Sequence, residues 1–211
     1  MRTDDLIALL VQDAPVRQSL NQLLLHAVIA AVLIAGIGFF AFIGPRPDID
    51  TAMATGRFLL KFVVTISLVM MASTVLFRIG KPGVPTAAWS RTILIPVVLI
   101  ASAAIFELYA VPSETWHTRM IGHNARFCLT FIPALAAGPL SCFLYALRQA
   151  APVRPAIAGA VAGLVAAGIA ATFYAANCDD DSPLFVMLWY PIAISAVALA
   201  GALLGRRLLR W

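Results

Sequence analysis

The chain has 211 residues, of which 62% are hydrophobic and only 12% are charged, and its mean hydropathy is +0.92. Soluble domains usually carry roughly 25% charged and 45–50% apolar residues, so the composition excludes an ordinary soluble protein. The formal net charge of +5 comes from basic residues scattered over many short segments, without the continuous basic face of a protein that binds nucleic acid directly. Three cysteines are too few for a disulfide-rich scaffold.

The first 22 residues form a polar segment before the first long apolar run. Thr3 can cap a short helix, and the next two residues, Asp4 and Asp5, suit its first turn. The apolar face of this predicted helix consists of Leu6, Ile7 and Leu10. Its polar face carries aspartates instead of the Lys and Arg of an interfacial anchor, which favours a partner protein over lipid. A simple lead-in to the first apolar run remains the alternative.

Six apolar segments are long enough to cross a membrane, which takes about 20 residues. We predict membrane spans at roughly 23–43, 58–77, 92–110, 125–147, 155–176 and 184–205. The expected fold class is therefore all-α, a polytopic membrane protein built as a bundle of six transmembrane helices. The spans form one domain, residues 23–205, between the N-terminal segment 1–22 and a basic tail, residues 206–211.

The distribution of charge predicts the orientation of the bundle. Six spans place both termini on the same side of the membrane. Ten of the 15 lysines and arginines lie in the termini and the even-numbered loops, so the positive-inside rule predicts that both termini are cytoplasmic. Acidic residues concentrate on the opposite side, where the segment NCDDDSP, residues 177–183, is predicted to face outward.

Glycines spaced four apart occur in the last two spans, Gly159 and Gly163 in the fifth and Gly201 and Gly205 in the sixth. Such pairs let helix backbones approach closely, so we predict helix-packing faces here, and homodimerisation through them stays open. Prolines within predicted spans remove helical hydrogen bonds and favour kinks. They are Pro96, Pro133, Pro139 and Pro191.

Lys61 and Glu107 lie near the outward ends of the second and third predicted spans. They could pair with each other, or each could extend to the interface. No charged residue falls at the predicted middle of the membrane, whereas an ion-coupled transporter needs a polar path. A small permease or metal-handling transporter is therefore only the alternative function.

The cysteines allow one sensible intramolecular pair. Cys128 begins the fourth span on the outward side, and Cys178 lies in the outward loop. Cys142 is about 21 Å deeper than Cys128 at 1.5 Å per residue, whereas a disulfide needs Cα atoms within about 7 Å. Cys128 and Cys178 could form a structural disulfide, a sensing dithiol that is oxidised or binds a soft metal ion, or two unrelated thiols.

His117, His123 and Asp179 join Cys128 and Cys178 as candidate metal ligands, because thiolate and imidazole suit zinc, cadmium or copper(I). The spacing matches no structural zinc motif, and the histidines also fit ordinary loop positions. The aspartates beside Cys178 are expected to raise the pKa of its thiol. Apart from a soft metal ion, we predict no cofactor. The sequence also lacks the Cys-x-x-Cys pair of a membrane thiol oxidoreductase.

Several segments together resemble one protein family: MRTDDLIALLVQDAP, FCLTFIPALAAGPL, the run from ALRQAAPVRP to NCDDDSPLF, and LGRRLLRW. By these segments and their order along the chain, it resembles the NrsF-type anti-sigma factors, which are small six-helix inner-membrane proteins of proteobacteria. The resemblance covers nearly the whole chain. The chain departs from typical anti-sigma factors in having no soluble anti-sigma domain.

The resemblance implies a regulator, not an enzyme, in the bacterial inner membrane. It would hold an extracytoplasmic-function sigma factor inactive and release it under stress. Cys128 and Cys178 fall where the family's periplasmic cysteine pair is implied, with heavy metals or thiol oxidation as the stimulus. The sigma-binding element would be the N-terminal segment, which contains Asp4, Asp5, Leu6, Ile7 and Leu10.

Overall fold

The computed structural model describes residues 19–79, 91–150 and 152–209, and all the regular structure within these ranges is helical. Six of its helices are long and apolar enough to cross a membrane, which confirms the expected number of spans. The helices are α1 (Leu20–Phe42), α2 (Ile49–Met53), α3 (Gly56–Ile79), α4 (Leu94–Ala110), α5 (Trp116–Ile121), α6 (Ala125–Arg148), α7 (Pro155–Ala175) and α8 (Pro183–Leu208). The ends of the long helices differ from the predicted spans by at most three residues. The short helices α2 and α5 were not predicted.

Local chemistry explains where the long helices begin and end. Ser19 caps α1 by accepting a hydrogen bond from the Gln22 N–H, while the Gln22 side chain accepts one from the Ser19 N–H. This reciprocal pair is a capping box. Gly44 follows α1 with φ of +74°, a conformation that glycine adopts without steric cost. Pro155 and Pro183 open α7 and α8, where a missing N–H costs no helical hydrogen bond.

Helix α7 lies at the centre of the bundle. It is buried along most of its length and packs against α8, α3, α6 and α1, whereas α4 packs on the outside against α3 and α8. The helix is rich in Ala and Gly, and these small residues allow its neighbours to approach from several sides. Large apolar side chains of α1 and α4, such as Phe42 and Phe106, point outward and are exposed, as expected for surfaces that face lipid.

The four glycines singled out in the sequence meet each other between α7 and α8. A Cβ atom built on Gly159 would overlap the carbonyl oxygen of Gly201, and one built on Gly205 would lie 3.0 Å from the Gly159 Cα. A Cβ on Gly163 would come within 2.7 Å of the Ala198 Cα. All four glycines are buried within one chain, so this face is already occupied and is not open to a second copy.

The four prolines within the predicted spans do not all interrupt a helix. Pro133 and Pro139 lie inside α6, and Pro191 lies inside α8. Pro96 lies inside a span, as expected, but in the first turn of α4. The N–H groups of the first turn have no helical partner, so Pro96 removes no hydrogen bond and requires no kink.

Candidate functional site

The structure brings Cys128 and Cys178 together at one end of the bundle. Cys128 lies in the first turn of α6, and Cys178 follows the end of α7, which runs antiparallel to α6. Both thiols are free, both are fully buried, and both belong to the same apolar core. The Cys178 sulfur lies 3.9 Å from the carbonyl oxygen of Asp180, toward which it donates. Cys142 is also a free thiol, lies further along α6 and is only partly buried.

Two tyrosines border the cysteine pair on its inner side, and the sequence reading missed both. Tyr174 in the last turn of α7 and Tyr190 in α8 are buried, with their ring centroids 6.4 Å apart. Both belong to the same buried cluster as Cys128 and Cys178, and neither hydroxyl has a hydrogen-bond partner among the described residues. Tyr174 lies four residues before Cys178, but Cys178 lies beyond the end of α7, so no helical spacing in the sequence linked the two.

The aspartates of the NCDDDSP segment fasten the α7–α8 loop to the start of α6. Asp180 accepts hydrogen bonds from the backbone N–H groups of His123 and Asn124 at 2.9 and 2.7 Å, and its other oxygen lies 3.0 Å from the His123 Nδ1. Asp179 accepts a hydrogen bond from the Asn124 side chain. Asn124 itself forms no side-chain cap on α6. Asp180 therefore anchors the two residues that precede α6 and places its negative charge near the N-terminus of that helix.

Lys61 joins the same loop to α3. Its side chain is only 1% exposed, and its Nζ donates to the Cys178 carbonyl oxygen at 2.7 Å and pairs with Asp181 at 2.5 Å. The other oxygen of Asp181 pairs with Arg46 at 2.8 Å. Arg46 also binds Asp48, and this hydrogen bond raises the pKa of Arg46 and lowers that of Asp48. A buried ammonium group is stable only when it is paired in this way.

Glu107 holds the other side of the loop. The buried carboxylate pairs with Arg57 and Arg119, both at 3.2 Å, and accepts a hydrogen bond from Ser182 at 2.7 Å. Ser182 is also the N-cap residue of α8. The two alternatives considered for Lys61 and Glu107 were both wrong. They do not pair with each other, and neither extends to the surface, because each is committed to the loop.

The surroundings lower the pKa of the Cys178 thiol, contrary to the expectation from the aspartates. The largest cause is hydrogen bonding from the Cys128 thiol, and the positive charge of Lys61 acts in the same direction. Burial opposes both effects. The charge of Asp180 does raise the pKa as expected, but it is a smaller effect. The expectation failed because it considered only the acids beside Cys178 and neither the hydrogen bond from the Cys128 thiol nor the charge of Lys61.

The structure divides the candidate metal ligands into two sets. The donor atoms of His123, Asp179 and Asp180 lie within 4.8 Å of one another. Among the described residues, these three form the one group of at least three His, Cys, Asp or Glu side chains close enough to share a metal ion. Neither Cys128 nor Cys178 belongs to that group. His117 lies in α5 with an exposed side chain and is also outside it. Both oxygens of Asp180 already accept hydrogen bonds within the loop.

The predicted partner-binding residues Asp4, Asp5, Leu6, Ile7 and Leu10 lie outside the described residues. The first described residue, Ser19, starts the capping box of α1. The role of the N-terminal segment therefore stays a prediction.

Comparison with known proteins gives a consistent answer. The family described as NrsF, negative regulator of sigma F, matches residues 10–211. An anti-sigma-F factor NrsF from Caulobacter vibrioides (strain NA1000 / CB15N) is 32% identical, and a probable anti-sigma-F factor NrsF from Azospira oryzae (strain ATCC BAA-33 / DSM 13638 / PS) is 26% identical. Both alignments cover the full length of both proteins. No solved structure matches the chain. Because the match extends over nearly every residue, this chain belongs to the NrsF family.

Proposed function

We propose that this protein is an anti-sigma factor that holds an extracytoplasmic-function sigma factor inactive at the bacterial inner membrane. Its family and the names of its relatives support regulation by binding, without catalysis. The six long apolar helices support a multi-pass membrane protein. The excess of Lys and Arg in the termini and even-numbered loops supports cytoplasmic termini. A cytoplasmic surface is required, because a sigma factor acts inside the cell.

The sigma factor binds the N-terminal segment, residues 1–22, helped by the cytoplasmic loops near 78–91 and 148–154. The apolar residues Leu6, Ile7 and Leu10 suit a partner groove, and Asp4 and Asp5 disfavour an anionic membrane surface. A helix this short is marginal alone, so it gains its stability from the partner.

The convergence of Cys128 and Cys178 is the observation that carries a sensing role. The thiols come from different segments, one from α6 and one from the loop that enters α8. A disulfide or a shared metal ion would therefore tie α6 to the start of α8. In the proposed orientation this end of the bundle faces the periplasm, where disulfides form and persist.

The loop offers a direct route from the thiols to the helices. Asp180 holds the backbone that leads into α6, and Ser182 caps α8, so a shift of the loop acts on the starts of both helices. We expect a movement at these helix starts to reach the cytoplasmic end through the α7–α8 glycine interface and the prolines inside α6 and α8, Pro133, Pro139 and Pro191. Release of the sigma factor requires that its bound state favour one chemical state of the thiols over the other.

Replacing both Cys128 and Cys178 with serine tests the sensing role. Transcription of the sigma-dependent genes should then stay repressed when cells are exposed to a thiol oxidant or a thiophilic metal. Cys142→Ser is the matched control and should respond like the wild type, since Cys142 lies away from the pair. An unchanged response in the double variant would rule out sensing by this pair.

Co-purification from detergent-solubilised membranes tests the partner. The full chain should retain a sigma factor from unstressed cells, and a chain lacking residues 1–22 should lose it while still reaching the membrane at normal levels. Leu6→Asp combined with Leu10→Asp provides a variant without truncation and should also lose the partner. If crosslinked membranes from unstressed cells yield no sigma factor, the anti-sigma proposal fails and a small permease becomes the better hypothesis.

A further inference from the structure

An open groove runs between α6 and α8 on the outside of the bundle. Its volume is about 330 Å³, and four of the eight residues that line it are Ala or Ser. The lining includes Ala137 and Ser141 on α6 and Ala200 and Leu204 on α8, and all four are exposed. The Ser141 hydroxyl donates to the Ala137 carbonyl oxygen at 2.9 Å, so the one polar side chain of the groove is already satisfied. The groove is therefore an apolar surface suited to an apolar occupant.

Each wall of the groove leads to an arginine at the same end of the bundle. Arg148 lies seven residues after Ser141 in the last turn of α6, and Arg207 lies three residues after Leu204 in the last turn of α8. Both spacings keep residues on one helical face. At 1.5 Å per residue, the arginines lie about 10 Å and about 5 Å beyond these groove residues. Both are exposed, and neither forms an ion pair with a residue that the structure describes.

The charges at this end of the bundle are one-sided. All seven acidic residues within 19–79, 91–150 and 152–209 lie toward the opposite end, which holds the cysteine pair. Guanidinium groups bind phosphate with strong, often bidentate hydrogen bonds. Basic sites between transmembrane helices bind the head groups of anionic lipids in this way. An apolar groove that ends at two unpaired arginines thus matches both parts of an anionic phospholipid.

We propose that the groove between α6 and α8 binds one anionic phospholipid, whose phosphate is held by Arg148 and Arg207 and whose acyl chain lies along Ala137, Ser141 and Ala200. The site joins the same two helices as the cysteine pair, but at the other end of the bundle. A bound lipid would fix the spacing of α6 and α8 there. The binding is noncovalent, and it does not require the partner proposed above.

A second copy of the chain fits this groove less well than a lipid. In a dimer whose two-fold axis is perpendicular to the membrane plane, the same patch of both copies meets. Arg148 and Arg207 of one copy would then lie near the same arginines of the other. Like charges repel, and no acidic residue of the described ranges lies at that end to offset them.

Native mass spectrometry of the full-length protein in detergent tests the lipid site. The probes are phosphatidylglycerol and zwitterionic phosphatidylcholine with identical acyl chains. The wild type should retain one phosphatidylglycerol per chain in preference to phosphatidylcholine. Replacing both Arg148 and Arg207 with glutamine should weaken phosphatidylglycerol binding about 30-fold, the usual contribution of two basic residues. Binding of phosphatidylcholine should not change.

Arg154→Gln combined with Arg206→Gln is the matched control. Both residues are exposed at the same end of the bundle, so the loss of charge is equal. Arg206 lies only two residues after Leu204, which places it on a different face of α8 from the groove. This variant should bind phosphatidylglycerol like the wild type. Equal weakening in the two arginine pairs would indicate a general effect of surface charge and would overturn the proposal.

Filling the groove tests the position of the acyl chain. Ala200→Phe places a large side chain in the groove and should cause a loss of binding of both lipids, whereas Ala41→Phe, at an exposed position on α1, should bind both normally. Equal retention of the two lipids by the wild type would overturn the proposal. A wild-type dimer that Ala200→Phe converts to a monomer would also overturn it, because a second copy would then occupy the groove. Co-purification of a sigma factor is a separate measurement and would stand or fail independently.

Discussion

A single buried lysine shows how one residue gains its role from the fold. Lys61 lies close to the aromatic ring of Phe58, pairs with Asp181 and holds the Cys178 carbonyl oxygen. In sequence it is one lysine in an apolar run, and it was considered only as a partner for Glu107 or as a surface charge. The loop that it binds lies more than a hundred residues further along the chain, so no local pattern could reveal this contact.

Replacing Lys61 with methionine should therefore weaken the folded state. Methionine fills similar space, but Asp181 keeps only Arg46 as a partner and the Cys178 carbonyl loses its buried donor. We expect a loss of about 3 kcal/mol in the free energy of unfolding, the lower end for breaking a buried ion pair. Reversible unfolding in mixed detergent micelles measures this loss.

Arg57→Met is the matched control for this substitution. The Arg57 side chain is 48% exposed, and its partner Glu107 keeps Arg119 and Ser182. The change should cost less than about 1 kcal/mol, because Arg57 is half exposed and the Glu107 carboxylate keeps its other partners. Equal losses of stability in the two variants would contradict the role given to the buried ion pair and hydrogen bond of Lys61.

At the scale of helices, the start of α6 depends on a residue from another segment. Asp180 accepts the N–H groups of His123 and Asn124, while Asn124 provides no cap of its own. Asp180→Ala should lower the free energy of unfolding by about 1 kcal/mol, the usual net contribution of an intramolecular hydrogen bond. Asp179→Ala should cost clearly less, because Asp179 is exposed and binds a side chain only. Chemical unfolding of both variants in parallel makes the comparison, and a larger effect at Asp179 would contradict the anchoring role given to Asp180.

The α7–α8 interface gives a second prediction for helices. A methyl group at Gly201 would meet the Gly159 carbonyl group and would lie 3.3 Å from the Gly163 Cα. Backbone atoms cannot move aside, so Gly201→Ala must separate the helices and should cost about 2 kcal/mol. Gly56→Ala in the first turn of α3, where a methyl group meets nothing within 4 Å, should be neutral or stabilising. Tm values measured in one detergent would contradict this account if the two variants lost equal stability.

At the scale of the whole molecule, the orientation remains a prediction from charge. With both termini in the cytoplasm, the α4–α5 connection near Glu114 faces the periplasm and the α6–α7 connection near Gln149 faces the cytoplasm. Alkaline phosphatase, which is active only after export, should be active when fused after Glu114 and inactive when fused after Gln149. The reverse pattern would invert the bundle and place the cysteine pair on the cytoplasmic side, which would contradict the proposed periplasmic sensor.

The sequence alone determined the six apolar helices and their approximate ends, and it identified Cys128 and Cys178 as the two cysteines that could meet. These features follow from one-dimensional constraints, because a membrane demands about 20 apolar residues per helix and antiparallel neighbours bring successive ends together. Only the tertiary structure decided the partners of Lys61 and Glu107 and the two tyrosines behind the thiols. Those contacts depend on side-chain distances of a few ångströms between distant segments, which neither composition nor spacing contains.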